Sequence, residues 1–88
     1  EPKAELEIFQ SENGWGYQIV IKQKVLIYQP TIPAIDTVAP FPDKTSTRKV
    51  GILVLKRFNA HSDFSVSKEE VLQRLPANFY FAREQIPQ

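Results

Sequence analysis

The chain of 88 residues has no cysteine and no methionine, one histidine, one tryptophan and three glycines. Without a thiol there is no disulfide framework, thiolate nucleophile, iron–sulfur cluster or Cys-ligated zinc site. A single imidazole also excludes zinc sites built on two or three histidines, and no cofactor is expected. No apolar run approaches the roughly eighteen residues that a membrane span needs; the longest, Val50 to Leu55, holds six and includes Gly51. Charge of one sign is missing as well, since 11 basic residues face 10 acidic ones for a formal net charge of +1. The first 44 residues carry −2 and the rest +3. Arg48, Lys49, Lys56 and Arg57 therefore read as a solvated helix face rather than a phosphate-neutralising patch, and nucleic acid is not an expected partner.

What is present is 42% hydrophobic and 24% charged residues with seven prolines, the composition of one small soluble domain. A chain of this length buries only roughly 60 to 65% of its unfolded surface, so a single modest core worth ~5 to 8 kcal/mol net is all it holds. Such a core leaves no room for a deep catalytic pocket, and a non-catalytic binding or structural module is expected. The sequence begins at Glu1 and lacks any Met, which raises the expectation that a leader or other residues precede it.

Ala4 to Gln10 alternates, with Ala4, Leu6 and Ile8 on one side and Glu5 and Glu7 on the other, the period-2 pattern of a half-buried strand. Asn13 and Gly14 tolerate positive φ and predict a hairpin. The return strand, Trp15 to Lys22, places Trp15, Tyr17, Ile19 and Ile21 on one face and Gly16, Gln18, Val20 and Lys22 on the other. A second turn near Gln23 leads into a third strand, Val25 to Tyr28, ending at Pro30. Pro30, Pro33, Pro40 and Pro42 then stiffen a crossing loop, which Ile32, Ile35, Val38 and Phe41 are expected to pin to the core.

For residues 44 to 58, Asp43 is a natural N-cap, and Thr47, Val50, Gly51, Val54 and Phe58 recur at helical spacing. Gly51 costs about 1 kcal/mol relative to Ala inside a helix, a cost that makes sense where the helix lies close on the sheet. Asn59 to Phe64 reads as a loop. Ser67, Lys68, Glu69 and Glu70 then form a capping box, with Val66 and Val71 as a hydrophobic staple, so a short helix is predicted from Lys68 to Leu75, stopped by Pro76. Residues 76–88 form an extension in which Phe79, Tyr80 and Phe81 make a short strand or an anchor.

The stretch Trp15, Gly16, Tyr17, Gln18, Ile19 through Ile27 and Tyr28 into Gln29, Pro30, Thr31, Ile32, Pro33, Ala34 and Ile35 resembles a family of small bacterial proteins, mainly of Bacteroidetes, described as the domain of unknown function DUF4907. A Gly-Tyr strand, a tight turn and a strand ending in Gln-Pro-x-Ile-Pro-Ala carry the resemblance. It continues through Phe41 into the helix after Asp43 and more loosely into the Ser-Lys-Glu-Glu-Val-Leu helix start, covering roughly residues 8 to 75. The family commonly has Asp-Gly at the second turn, where this chain has Lys22 and Gln23, and often Ala where this chain has Gly51. The resemblance implies an exported or lipoprotein-like protein and supplies no activity.

Several residues invite a chemical reading. His61 with Ser62 and Asp63 evokes a hydrolase, but loop neighbours supply neither a nucleophile elbow nor a buried carboxylate, and two ligands are too few for a metal. Glu5 and Glu7, about 7 Å apart along a strand, match glycosidase spacing but read as a solvated face without a cleft. Gly14 and Gly16 lack the strand-to-helix setting of a phosphate loop. Trp15 and Tyr17 read first as packing. The candidate interaction surface is Trp15, Tyr17, Tyr28, Gln29, Pro30, Ile32 and Pro33, a rigid loop with two aromatics beside it. Against it stands a structural role, in which the prolines steer the chain across the sheet edge and Ile32 and Ile35 plug the core.

The expectation is an α+β fold: a three-stranded antiparallel meander packed against one main helix, with a short second helix and an aromatic C-terminal tail. The core spans residues 4–75. The expected function is non-catalytic binding or assembly in the bacterial cell envelope, outside the cytoplasm. The alternative is a homodimerisation module acting through the other sheet face, at Phe9, Val20 and Leu26, or through the tail. A small enzyme is the remote third option.

Overall fold

A computed structural model describes residues 3–35 and 38–76. Three strands, β1 (Glu5–Ser11), β2 (Gly14–Ile21) and β3 (Lys24–Gln29), are followed by helices α1 (Lys44–His61) and α2 (Lys68–Leu72). The strands form an antiparallel sheet in the order β1-β2-β3, the α+β meander that the alternation predicts. The expected 76–88 extension and its aromatic anchor lie outside the described residues beyond Pro76.

Both hairpin turns use left-handed backbone without glycine. Asn13 has φ 68°, and Lys22 and Gln23 have φ 50° and 67°. Two successive positive φ values give the twist that a two-residue hairpin needs, so Lys22 and Gln23 adopt the geometry that Asp-Gly would reach with less strain. Gly14, expected to supply positive φ, does not; it begins β2 and is small for another reason. A Cβ there would lie 2.5 Å from the Phe41 carbonyl oxygen and 2.7 Å from the Pro40 Cβ. Close approach of the returning loop, not a turn, requires this glycine.

Register assigns the faces. Leu6 opposes Ile19, Ile8 opposes Tyr17, and Tyr17 in turn opposes Gln29. Leu6, Ile8, Tyr17, Ile19 and Ile27 pack with Val50 and Val54 of α1, Val71 of α2, and Leu75, Ile32 and Phe41 in one core. Glu5, Glu7, Phe9, Gly16, Gln18, Val20 and Tyr28 lie on the opposite face. A bulge between the Ile19 and Val20 pairings re-aims β3 near Leu26.

After Gln29 the chain leaves the sheet and returns beside β2. The Ile32 amide donates to the Ala39 carbonyl at 2.8 Å, closing the neck of the loop. Trp15 and Phe41 then exchange both backbone hydrogen bonds, at 3.0 and 2.9 Å. Ile32 and Phe41 are buried as predicted and Ile35 is partly buried, but Val38 is 89% exposed. Ala39 is the inward residue in its place, because the paired Ile32 and Ala39 fix the direction in which the return segment faces.

Asp43 caps α1, its carboxylate accepting from the Ser46 amide at 2.7 Å. Ser46, Thr47, Val50, Gly51 and Val54 form the buried stripe. A Cβ on Gly51 would lie 2.7 Å from Leu6 Cδ1, so the helix does rest close on the sheet here. The helix runs three residues past the predicted end at Phe58. Asn59, Ala60 and His61 remain helical until Ser62, at φ 55°, donates its amide to the Phe58 carbonyl in a left-handed cap. Phe58 stacks on Phe64 at 4.8 Å, fastening the connection that follows.

The capping box at α2 is complete: the Ser67 amide donates to Glu70, and the Glu70 amide donates to Ser67 Oγ. The helix is shorter than predicted, ending at Leu72. Residues 73–75 tighten into turns in which Arg74 and Leu75 donate to Val71 and Leu72, three residues back, and Leu75 still reaches the core.

Candidate functional site

The helices pack on one face of the sheet; on the other face Glu5, Glu7 and Tyr28 are exposed, Phe9 and Gln18 are half-buried and Val20 is buried. β2 is buried along most of its length, whereas β3, similarly rich in β-branched and aromatic residues, is largely exposed. Tyr28 is 60% exposed, Val25 48% and Leu26 37%.

The face is organised around Gly16. Phe9 of β1 stands opposite Gly16, and Tyr28 of β3 stands opposite Gln18. The two outer strands are roughly 9 to 10 Å apart, yet the rings meet at a centroid distance of 5.2 Å with 7° between their planes. They meet because the middle strand has no side chain beneath them: a Cβ on Gly16 would lie 2.9 Å from Phe9 Cε1. It would also lie 2.7 Å from the Gln29 oxygen and the Pro30 Cα, so the same glycine lets the loop turn away from the sheet. Shielding a strand glycine explains the position of Phe9. It does not explain a tyrosine ring left mostly in solvent.

Beside the rings, Gln18 Nε2 donates to Glu7 Oε1 at 2.8 Å. Glu5 opposes Val20, which is the buried residue of this face, and Val20 opposes Val25. The surface thus has an aromatic pair, two aliphatics along β3, the Gln18 amide on the central strand and two carboxylates along β1.

The seven residues expected to form one interaction surface do not share one. Tyr17 and Ile32 are buried in the core, at 1% and 4% exposure, because the register and the loop neck turn both inward. Burial pushes the Tyr17 phenol up to about 12, so it stays neutral across the ordinary pH range. Trp15 is half-buried against the core and tied to Phe41 through its backbone. Gln29 turns its amide onto the Thr31 carbonyl at 2.8 Å, holding its own loop. Pro30 and Pro33 are half-buried, and Tyr28 is the one member presented to solvent on the open face. Phe9, Val25 and Leu26 join it. For Phe9 the signal in the sequence is that it falls on the charged side of an alternating strand.

The hydrolase candidates hold local structure or stand in solvent. Asp63 accepts from the Ser65 amide at 3.0 Å and the Ser65 hydroxyl at 2.8 Å, and those bonds hold its carboxyl below the usual range. His61 ends α1, in solvent. Among the described residues no three His, Asp or Glu side chains gather as a metal site would require. No helix among them is long and apolar enough to cross a membrane.

One charged constellation is structural. Arg57 of α1 forms a two-pronged pair with Glu70 and also donates to the Ser65 carbonyl at 3.1 Å. Arg57 first, then the Ser67 amide, holds the Glu70 carboxyl down at about 2. This pair ties α2 to α1.

A protein-family model described as Domain of unknown function (DUF4907) matches residues 7–73, and the chain belongs to that family. No curated protein and no solved structure matches it. The matched segment includes Phe9, Tyr28, Arg57 and Glu70, so the exposed aromatic pair and the clasp lie inside the family unit.

Proposed function

We propose that this member of the DUF4907 family is a non-catalytic protein-interaction module of the bacterial cell envelope, with the open sheet face as its recognition surface. The observation that carries the reading is the Phe9–Tyr28 pair: two rings stacked 5.2 Å apart, with Tyr28 60% exposed. Adjacent Val25 and Leu26 extend the apolar surface along β3, with Gln18 on the central strand and Glu5 and Glu7 on β1 supplying polar groups beside it. A tyrosine beside aliphatic side chains with hydrogen-bonding groups next to it has the composition of a protein interface. The aromatic pair is already ordered by Gly16, so little conformational entropy is lost on binding.

Placement outside the cytoplasm rests on the exported, lipoprotein-like character implied by the family resemblance. Fractionation of cells producing the full-length product tests it, with recovery in the envelope expected and recovery in the cytoplasm contradicting it. For the surface, a photo-crosslinking amino acid at position 28 is expected to give a discrete protein adduct in cells, and the same group at exposed position 61, at the end of α1, is expected to give none. Absence of an adduct from position 28 would remove the reading.

The second reading is homodimerisation through the same face. It draws on the exposed apolar side chains of β3, which is an edge strand among the described residues. Sedimentation at rising concentration separates the two: a dimer abolished by Tyr28→Glu supports self-association, and a monomer at every concentration eliminates it.

A further inference from the structure

We propose that the groove between the outward side of α1 and the end of α2 is a docking site for an acidic amphipathic helix of a partner protein. This site is separate from the open sheet face. It lies on the side of the helix layer turned away from the sheet, since Val50, Gly51 and Val54 make the inward stripe.

The groove has a volume of about 510 Å³ and is lined by Lys49, Ile52, Leu53, Lys56, Gln73 and Arg74. Its charge is one-sided. α1 contains no acidic residue in its whole length, and Lys44 occupies the first turn, where the helix dipole disfavours a cation. Arg57 is engaged with Glu70, and Arg74 donates from Nη1 to the Glu70 carbonyl at 2.8 Å. Lys49 and Lys56 have no ion-pair or hydrogen-bond partner among the described residues. A stability role for these lysines is therefore not visible in the structure.

The floor is apolar. Ile52, 37% exposed, lies between the two lysines with half-buried Leu53 beside it. Lys49 and Lys56 are two helical turns apart, about 10.5 Å along the axis. A partner helix with acidic side chains seven residues apart and apolar ones between them repeats that spacing in complementary form. Its carboxylates would meet the lysines and its apolar side chains Ile52 and Leu53, in the helix-in-groove mode. A nucleic acid backbone makes no use of the aliphatic side chains, and an anionic bilayer, with mobile headgroups, does not read the fixed spacing of the two lysines.

The test uses the full chain and a fluorescein-labelled designed helical peptide bearing two Glu seven residues apart with Leu between. Saturable binding is expected at low salt, with amide resonance shifts confined to the neighbourhood of Lys49, Ile52, Lys56 and Gln73. The Lys49→Glu, Lys56→Glu double variant is expected to weaken binding roughly tenfold or more, with an unchanged melting temperature and amide spectrum. Ile52→Ser, which keeps every charge, is expected to weaken it as well. The proposal is overturned if no binding occurs, if the charge reversals leave it intact, or if a peptide with Ser in place of Leu binds equally. It is also overturned if phosphatidylglycerol vesicles bind in the peptide's place. None of these results bears on crosslinking from position 28, so the two proposals fail separately.

Discussion

Tyr17 and Tyr28 are neighbours on adjacent strands of one sheet, yet they belong to different parts of the molecule. Tyr17 points under α1 and is 1% exposed, packed near Phe41 with ring centroids 6.0 Å apart. Tyr28 points the other way and is 60% exposed, lying flat on Phe9. The same side chain holds the fold on one face and is displayed on the other. The two faces also use glycine differently. Gly51 lets α1 approach Leu6, whose methyl groups can move; Gly16 admits backbone and a ring, which cannot. What separates the faces is how much of each residue's position packing explains: nearly all on the helix side, but on the open side Phe9 and Val20 and not Tyr28.

Breaking the covered face is expected to have the largest effect. Tyr17→Ala removes a fully buried aromatic from a core with few members, and a loss of about 3 to 5 kcal/mol is expected in urea denaturation. That is most of the stability of a domain this small. An effect below about 1 kcal/mol would mean the core lies elsewhere.

Next come the two glycines. Gly16→Ala drives a methyl into the Gln29 carbonyl and Pro30 backbone, and a loss of about 1 to 3 kcal/mol is expected. Gly51→Ala gains about 1 kcal/mol of helix propensity, offset by displacement of the flexible Leu6 tip, so its net change stays within about 1 kcal/mol of zero. Equal losses at the two sites would erase the distinction between close approach to backbone and close approach to a side chain.

A double-mutant cycle on Phe9→Ala and Tyr28→Ala sharpens the open face. The stack is expected to show a coupling of about 0.5 kcal/mol, the low end for ring pairs because Tyr28 is largely in solvent. No coupling would mean that the rings are neighbours without interaction.

The smallest effect belongs to the clasp on the covered side. Glu70 titrates at about 2 in the folded chain, against an ordinary value of 4.5, chiefly because Arg57 bonds to it. A depressed carboxyl contributes stability that is present above the unfolded value and is lost as pH falls from about 4.5 toward 2. Glu70→Gln is expected to flatten that part of the acid denaturation curve and leave the open face unaffected. An unchanged curve would show that the pair is screened by solvent.

The sheet order and helix identities are legible in the sequence because one-sided burial imprints period 2 and period 3.6. Asp43 and the Ser67–Glu70 box mark both helix starts by local chemistry. The ends are less legible. Ser62 closes α1 through a left-handed backbone that serine does not advertise, and α2 stops at Leu72 because its last turn tightens. Val38 and Ala39 exchange roles because a long-range pairing, Ile32 with Ala39, sets which of them points inward. Of the candidate surface, Tyr28 was readable as exposed only once the register was known. Phe9 reaches it across Gly16, a contact between the first and third strands that no local pattern encodes.

The central claim is that the open face is displayed rather than needed for folding, and the unfolding free energy of Tyr28→Ala tests it most directly. A loss below about 1 kcal/mol is predicted, because most of the ring is already in water. A loss of about 2 kcal/mol or more would contradict the account, making Tyr28 a structural member of the sheet and leaving the surface without its anchor.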